Sequence, residues 1–360
     1  MNTIYLYGYF GAYNPHHYYF FKDKNFILEL GKYNYSLKVC EQPELDISQI
    51  DRDDWVIFLE STSVGKRYGY KRKTIGLIRK ILQRPNKIER ESLYDKLMKK
   101  GFKSSMILLI HECVANIPDN YNKYLHDMFD IILINNDNYI DNKKYYLWRF
   151  PVPLESPMVE NIPFSERKLL ICSLTNNYSG NKEHLGKFRR DEIGYYCKRW
   201  PSDFDLYGCN WNVPVTKVQK VFPFFVPKFE CYRGYLDEID KPKTFSKYKF
   251  NLCYENCAVQ PGWVSNRLFD SLRSCCVPIF YGATNIKEIV DDDAFIDRRD
   301  FKSAKELGDY IEFMSQNEFL RYQKAMANFL SSDRFKTFLI TSFAEKIISV
   351  IESVKKTRPV

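Results

Sequence analysis

The stretch that decides the fold reads YKFNLCYENCAVQPGWVSNRLFDSLRSCCVPIFYG, from Tyr248 to Gly282. Its first part, residues 250–254, is rich in strand-forming residues. Pro261 and Gly262 then predict a loop, because both residues break regular structure. Apolar residues at 264, 268, 269 and 272 have helical spacing, and the apolar run 277–281 predicts a second buried strand. Strand, loop, helix and strand in this order predict a βαβ unit of a parallel sheet.

Polar residues collect at one edge of this predicted unit. Glu255 and Asn256 follow the first strand, while Ser265 and Arg267 stand at the start of the helix. Ligands of open parallel sheets bind beyond the carboxyl ends of strands and at helix amino termini. The sequence therefore predicts a binding site here.

Outside this stretch the sequence predicts alternating strands and helices, the pattern of an α/β fold with parallel sheets. Periodicity disappears between Pro151 and Pro163, which indicates a linker. The predicted organisation is two α/β domains, at 1–155 and 164–345, and a carboxyl-terminal helix end with its tail at 346–360.

Composition narrows the class of protein. With 360 residues and 45% hydrophobic content, two packed domains are expected, and no apolar run reaches the length of about 18 residues that a membrane span needs. The ten cysteines have no regular spacing, which favours reduced thiols in a cytoplasmic protein. The formal net charge is +9, but lysine and arginine are dispersed, which argues against a nucleic-acid interface. A phosphate-bearing substrate and peripheral association with an anionic membrane surface remain as explanations of the charge.

Several motifs resemble one enzyme family. YKF at 248–250, YEN at 254–256, GWVSNRLFD at 262–270 and CVPIFYG at 276–282 are similar to the donor-binding core of the α-1,3/4-fucosyltransferases, glycosyltransferase family ten. That family has YKF-x-x-x-FEN, then GY-[IV]-TEK and G-x-[IV]-PVY-x-G. The resemblance extends through YRGYLDEIDK, DFDLYGCNW and ILLIHECVANIPDNY, and so covers most of residues 105–345. One departure is that Ser265-Asn266-Arg267 stands where the family has Thr-Glu-Lys.

This resemblance implies a fold and an activity. The fold is GT-B, in which two Rossmann-like domains face each other across a cleft. The resemblance implies that the amino-terminal domain at 1–155 binds the acceptor and that the domain at 164–345 binds the nucleotide sugar. The activity is inverting transfer of L-fucose from GDP-fucose to a hydroxyl of a glycan or glycolipid. A bacterial or viral type of member is expected, without the amino-terminal anchor of Golgi fucosyltransferases. Neither a cofactor nor a metal is expected, because GT-B enzymes often stabilise the leaving diphosphate with side chains and helix ends.

Such a reaction needs positive charge at the diphosphate and a base at the acceptor hydroxyl. Arginine suits the first task, because its planar fork binds phosphate oxygens in pairs. We expect Glu112 to be the base, because it follows the buried strand-like run 106–110 and the family has a Glu at the matching point. Glu60, also at a strand end, is its rival. The residues expected to bind the donor are Arg190, Arg233, Tyr254, Glu255, Asn256, Trp263, Ser265, Asn266 and Arg267.

Alternatives remain at this point. Asp291-Asp292-Asp293 resembles the metal motif of other glycosyltransferases, although a surface turn is favoured. Asn266 lacks the carboxylate that the family points at the ribose, which leaves open another nucleotide deoxy sugar, or a weakly active glycan- or nucleotide-binding protein. The sequence names neither the acceptor nor the linkage.

Overall fold

In this computed structural model the described residues are 1–8, 20–41, 45–64, 91–102, 105–152, 162–176, 185–214 and 217–357. The chain divides into two compact units. One comprises Met1–Pro153 with Leu339–Val360, and the other comprises Leu154–Phe338. Both units are built on a parallel sheet with helices, so the predicted α/β class with two Rossmann-like domains is confirmed.

The sheet of the first unit has the strand order β2-β1-β3-β4-β5-β6, and each neighbouring pair is parallel. Its strands are β1 Asn2–Gly8, β2 Tyr35–Glu41, β3 Trp55–Leu59, β4 Met106–Ile110, β5 Ile131–Ile134 and β6 Tyr145–Leu147. Its described helices before the second unit are α1 Lys24–Lys32, α2 Glu60–Ser63, α3 Leu93–Lys99 and α4 Lys123–His126. All residues of β3, β4 and β5 are buried, as expected for parallel strands that are covered on both faces.

The sheet of the second unit has the order β11-β10-β9-β7-β8, also with parallel neighbours. Its strands are β7 Lys168–Asn176, β8 Phe204–Cys209, β9 Tyr248–Tyr254, β10 Val277–Tyr281 and β11 Ile296–Asp297. Its described helices are α5 Gly186–Arg199, α6 Lys217–Val221, α7 Lys241–Phe245, α8 Asn266–Arg273, α9 Ile286–Ile289, α10 Ala304–Glu312, α11 Gln316–Leu330 and α12 Asp333–Lys336. The predicted βαβ unit forms as β9, α8 and β10, with Phe250 in register with Val277.

The turn before α8 has the geometry that its sequence predicts. Gly262 has a φ of +80°, a left-handed value that favours glycine. Its N–H donates to Asn285 Oδ1 over 2.8 Å, which fixes the loop. Ser265 then precedes the helix in extended conformation and accepts a hydrogen bond from the N–H of Arg267, as a helix-capping serine does.

The last helix, α13 Ile340–Thr357, belongs to the first unit. Its apolar side chains, among them Phe343, Ile347 and Ile351, join the core that α1 and the sheet form. The sequence pattern assigns residues 339–345 to the second domain, whereas the structure groups them with the first unit. Burial of the apolar face of α13 against that core accounts for the difference. The predicted boundary at 155–164 falls largely outside the described residues.

Candidate active site

A buried carboxylate lies at the carboxyl end of β9. Glu255 is 0% exposed, and its Oε1 accepts a hydrogen bond from the N–H of Ser265 over 2.7 Å. Its Oε2 pairs with Arg267 Nη1 at 3.0 Å. The carboxylate therefore joins the strand end to the amino terminus of α8, where the helix dipole favours negative charge. The structure brings three of the predicted site residues into direct contact.

Gly282 leaves the space that this carboxylate occupies. A Cβ atom at position 282 would lie 2.5 Å from Glu255 Cγ and 2.5 Å from the Phe280 ring. Any larger residue would displace one of these buried side chains. The glycine at the end of β10 is therefore part of the construction of the site.

An arginine that the sequence reasoning passed over contacts Asn256. Arg189 on α5 is 4% exposed, and its Nη1 donates to Asn256 Oδ1 over 3.0 Å. The carbonyl of Asn256 also accepts a hydrogen bond from the N–H of Leu185, just before α5. The predicted residue, Arg190, is half-buried, and burial lowers the pKa of its guanidinium. Asn256 thus holds the start of α5 and one of its arginines at the edge of the sheet.

The helical period of α5 could have identified Arg189. Ile193, Tyr196 and Trp200 are buried, and they stand four, seven and eleven positions after Arg189. Residues at these intervals share one helix face. Arg190 is rotated away from that face. The spacing of the apolar residues therefore indicates that Arg189, and not Arg190, lies on the buried face of α5.

Arg189 and Arg267 also lie near a common atom. The Cys172 thiol of β7 is fully buried, and burial raises its pKa to about 12, while the positive charges of Arg189 and Arg267 act in the opposite direction. Both arginines therefore approach the same part of β7. Together with Glu255 and Asn256 they form what we call the arginine group of the second unit.

Three other predicted donor residues lie next to this group in the chain. Tyr254 is 0% exposed, and its hydroxyl donates to Glu192 Oε2 over 2.6 Å, so this hydroxyl forms a hydrogen bond inside the core. Trp263 is also buried, in the loop before α8. Asn266, the first residue of α8, is partly exposed and is the more accessible of the three.

Arg233 lies beside the outer strand β8, where its N–H donates to the carbonyl of Leu206. Its Nε donates to Asp205 Oδ1 over 2.6 Å, and Asp205 also accepts from Lys168 and Tyr248. Asp205 is in register with Ile171 of β7, and Ile171 is in register with Asn251 of β9. The Arg233 side chain is therefore tied to β8, about 10 Å before the level of Tyr254 along the strand direction.

Asp291, Asp292 and Asp293 stand at a short turn that lines a cavity of about 460 Å³. Asp291 pairs with Arg334, and Asp292 pairs with Lys287 at 3.0 Å. Within the described ranges, no group of three or more His, Cys, Asp or Glu side chains has the arrangement of a metal site.

A second pair of carboxylates lies in the first unit. Glu60 follows β3, and its Oε1 accepts hydrogen bonds from the N–H groups of His111 and Glu112, over 3.1 and 2.8 Å. The side-chain amide of Asn120 donates to Glu60 Oε2. Glu112 follows β4, and its Oε2 accepts from Asn116 Nδ2 over 2.6 Å. The predicted base and its rival thus occupy neighbouring strand ends and share one network.

The two carboxylates differ in environment. The side chain of Glu60 is 2% exposed, whereas that of Glu112 is 17% exposed. Burial, and then the nearby charge of Glu112, raise the pKa of Glu60 well above its usual range. Two neighbouring carboxylates of this kind favour one proton on the buried member. Glu60 also has a φ of +64°, a conformation that costs a non-glycine residue about 1–3 kcal/mol.

Solved structures define the class of fold. A crystal structure of an α1,3-fucosyltransferase with GDP matches with a TM-score of 0.51, covering 98% of this chain and 91% of that one at 12% identity. T4 phage BGT in complex with UDP and Mn²⁺ matches with a TM-score of 0.52, covering 97% and 99% at 11% identity. The fold is that of the GT-B glycosyltransferases, as predicted.

The sequence of the second unit matches a family model. Residues 227–338 match the model of glycosyltransferase family 10 (fucosyltransferase), C-terminal part. The matched residues include the motifs between Tyr248 and Gly282, so the resemblance to this family is confirmed over that part of the chain.

Relatives in the same family match over short lengths. The α-(1,3)-fucosyltransferase FucT of Helicobacter pylori is 33% identical over 75 residues, which is 21% of this chain and 16% of that protein. An α-(1,4)-fucosyltransferase of Arabidopsis thaliana is 42% identical over 69 residues, covering 19% and 17%. The matched part thus spans about a sixth of the length of these relatives. Among the described residues, none of the helices has the length and apolar character that crossing a membrane requires.

Proposed function

We propose that this protein is an inverting glycosyltransferase that moves L-fucose from GDP-fucose to a hydroxyl of a glycan acceptor. The observation that carries the proposal is the arginine group, in which Arg267 pairs with Glu255 and Arg189 donates to Asn256. Glu255, Asn256 and Arg267 lie within the residues that match the family 10 model. Cationic side chains and a helix amino terminus at a sheet edge suit a nucleotide diphosphate. Relatives named as fucosyltransferases support fucose as the sugar.

Each residue of the arginine group has its own role in the proposed reaction. Glu255 holds the Arg267 side chain at the start of α8 through a charge-assisted contact of 3.0 Å. Arg189 and the N–H groups at the start of α8 then stabilise the charge that develops on the diphosphate. Asn266 is the candidate for contact with the ribose hydroxyls. Tyr254, Trp263 and Ser265 support this arrangement from the loop and the strand end.

Glu112 is the proposed base. It removes the proton from the acceptor hydroxyl, and the electron pair of that oxygen forms the new bond to C1 of fucose. The bond from C1 to the phosphate oxygen breaks, and its electrons leave with GDP. Burial and the nearby charge of Glu112 raise the pKa of Glu60, which favours the protonated form of Glu60 and leaves Glu112 as the proposed base. Glu60 then positions the backbone of Glu112 through its hydrogen bond to that N–H.

The setting of the reaction is part of the proposal. The ten cysteines, all among the described residues, are thiols and not disulfides, which supports a reducing compartment such as the cytoplasm. The positive charge of the arginine group supports transfer without a metal. The acceptor is a glycan or a glycolipid.

The test is release of GDP from GDP-fucose in the presence of a panel of glycan acceptors. Glu112→Gln keeps the shape of the side chain and removes its basicity, so kcat should fall by roughly 100-fold or more while donor affinity stays near that of the unchanged protein. Asp127→Asn, a change at an exposed carboxylate of the same unit, serves as the control.

Three outcomes would contradict parts of the proposal. If Glu112→Gln keeps full activity and Glu60→Gln loses it, the base is Glu60. Turnover of another nucleotide deoxy sugar but not of GDP-fucose would replace the donor. Binding of GDP-fucose without turnover on any acceptor would favour a binding protein.

A further inference from the structure

An apolar segment of the second unit faces solvent. It runs from Lys217 to Lys228, through helix α6 and the turn at Pro223–Phe225, and we call it the aromatic segment. The exposed fraction is 75% for Phe224 and 69% for Val221. The other exposed apolar side chains of the segment are Val218, Phe222 and Phe225. This exposure is far above that of a buried core residue, so the segment is a candidate interaction surface.

The segment has a defined structure of its own. The N–H of Phe222 donates to the carbonyl of Val218 over 2.8 Å, and the rings of Phe224 and Phe225 lie 4.3 Å apart. At its base, the N–H of Phe229 donates to Asn212 Oδ1 over 2.7 Å. The Phe229 ring packs edge to face on buried Trp211, with centroids 5.3 Å apart. The apolar tip is therefore presented on a fixed base.

The exposed apolar residues lie on two consecutive turns. Val218 and Val221 are three positions apart in α6 and share one face of that helix. Phe222, with a φ of −124° and a ψ of 82°, follows the helix, and Phe225 belongs to the next turn. In a core these side chains would be covered, but here all four are 48% exposed or more.

The charge around the tip has a single sign. Lys217, Lys220 and Lys228 are exposed, and the sequence from 212 to 229 contains neither Asp nor Glu. A basic rim around an aromatic tip matches the interface of an anionic bilayer, where apolar side chains enter the acyl boundary and lysines meet the headgroups.

We propose that the aromatic segment docks this protein onto an anionic lipid surface, with Phe224 and its neighbours inserted below the headgroups. A second copy of the chain fits less well, because a two-fold contact would set the lysines of one copy against those of the other. Single-stranded nucleic acid fits less well too, because Val218 and Val221 offer no stacking surface and the phenylalanine rings already contact one another. The inference is independent of the proposed transfer reaction.

The experiment is co-sedimentation of the full chain with vesicles of phosphatidylcholine containing about 30% phosphatidylglycerol, at low and high salt. The unchanged protein should bind these vesicles and bind pure phosphatidylcholine weakly. Phe224→Ser with Phe225→Ser should lower the partition coefficient by roughly 10-fold or more, because each ring loses its apolar burial. Replacing Lys217 and Lys220 by Gln should lower it by roughly fivefold for each lysine, and this loss should shrink at high salt.

Matched controls lie elsewhere in the second unit. Phe313 is 80% exposed, so Phe313→Ser removes an exposed ring outside the segment. Lys247 and Lys324 are also exposed, so their change to Gln removes the same charge at other places. These variants should bind vesicles as the unchanged protein does. Melting curves of all variants should coincide, because the altered side chains are in solvent.

Several results would overturn the proposal. One is no vesicle binding at all, and another is equal loss in the control variants. Concentration-dependent dimerisation that Phe224→Ser with Phe225→Ser abolishes would assign the surface to a second copy. Tighter binding to single-stranded oligonucleotide than to vesicles would assign it to nucleic acid.

Discussion

Replacing Arg267 by Ala would test the pair that organises the second unit. The substitution removes the guanidinium 3.0 Å from Glu255 Oε2 and leaves the N–H of Ser265 as a donor to that carboxylate. Glu255 is 0% exposed, so water cannot replace the lost partner without a rearrangement. Loss of one partner of a buried ion pair is costly, because the remaining charge stays desolvated.

The size of the effect follows from the burial of the two partners. Breaking a buried pair costs about 3–5 kcal/mol. The Arg267 side chain is 18% exposed, which places the expected loss at the lower end, about 3 kcal/mol. For a unit of this size, the melting temperature should fall by roughly 6–12 °C. Arg267→Lys keeps the charge and loses the planar fork, so its loss should be smaller.

Thermal unfolding of four proteins completes a double-mutant cycle: the unchanged chain, Arg267→Ala, Glu255→Gln and the double variant. The double variant should melt above Arg267→Ala, because glutamine carries no charge that needs the arginine. Adding GDP should raise the melting temperature of the unchanged chain, and this increase should be smaller in Arg267→Ala. A single variant that melts within about 2 °C of the unchanged chain, with additive effects in the double variant, would refute the reasoning.

Three further predictions concern the remaining candidate residues. Arg189→Ala should weaken GDP binding by roughly 10–100-fold in calorimetric titration, because a charged hydrogen-bond donor is lost, whereas Arg190→Ala should have little effect. A larger loss of affinity in Arg190→Ala would favour Arg190, as the sequence predicts. Glu60→Gln should gain stability relative to the unchanged chain as pH rises from 5 to 8 in urea unfolding. Because the pKa of Glu60 is raised, the folded state holds a proton that the unfolded state releases above about 4.5, so the stability of the unchanged chain falls with pH until Glu60 ionises in the folded state. A pH-independent difference between the two proteins would contradict this. Chelation with EDTA should leave GDP release within about twofold of its initial rate, and a loss that Mn²⁺ restores would favour Asp291–Asp293 as a metal site.

Much of the fold could be predicted because its causes are local. The strand of 250–254, the glycine turn and the helix after Ser265 each follow from propensities and capping within a few residues. Placement of α13 could not be predicted in this way. An amphipathic carboxyl-terminal helix packs wherever an apolar surface is available, and the sequence pattern does not say which core provides it.

The candidate site could be predicted only where chain neighbours form it. Glu255, Ser265 and Arg267 lie within one βαβ unit, so their contact follows from the topology. Arg233 lies in a motif of the family, yet its side chain pairs with Asp205 of β8. Which partner a loop arginine reaches depends on contacts between segments that are distant in sequence.

The positive φ of Glu60 is also a tertiary effect with a consequence for the chemistry. A residue in the left-handed region is strained unless its surroundings hold it there. Here the hydrogen bonds from His111, Glu112 and Asn120 converge on the Glu60 carboxylate and hold the residue in this conformation. Such bonds lower the pKa, but burial and the charge of Glu112 outweigh them. The strand-end turn therefore favours the protonated form of Glu60 in a position where its carboxylate also holds the backbone of Glu112.

The ion pair at the start of α8 determines how Arg267 can meet a donor. Glu255 compensates Arg267 at 3.0 Å, so that guanidinium adds little net charge to the edge of the sheet. Arg189 is held at the same edge by the uncharged amide of Asn256, which accepts from its Nη1 over 3.0 Å. In the proposed reaction a diphosphate at this edge would draw on the N–H groups at the amino terminus of α8 together with Arg189, with Arg267 acting as the fixed neighbour that orients it.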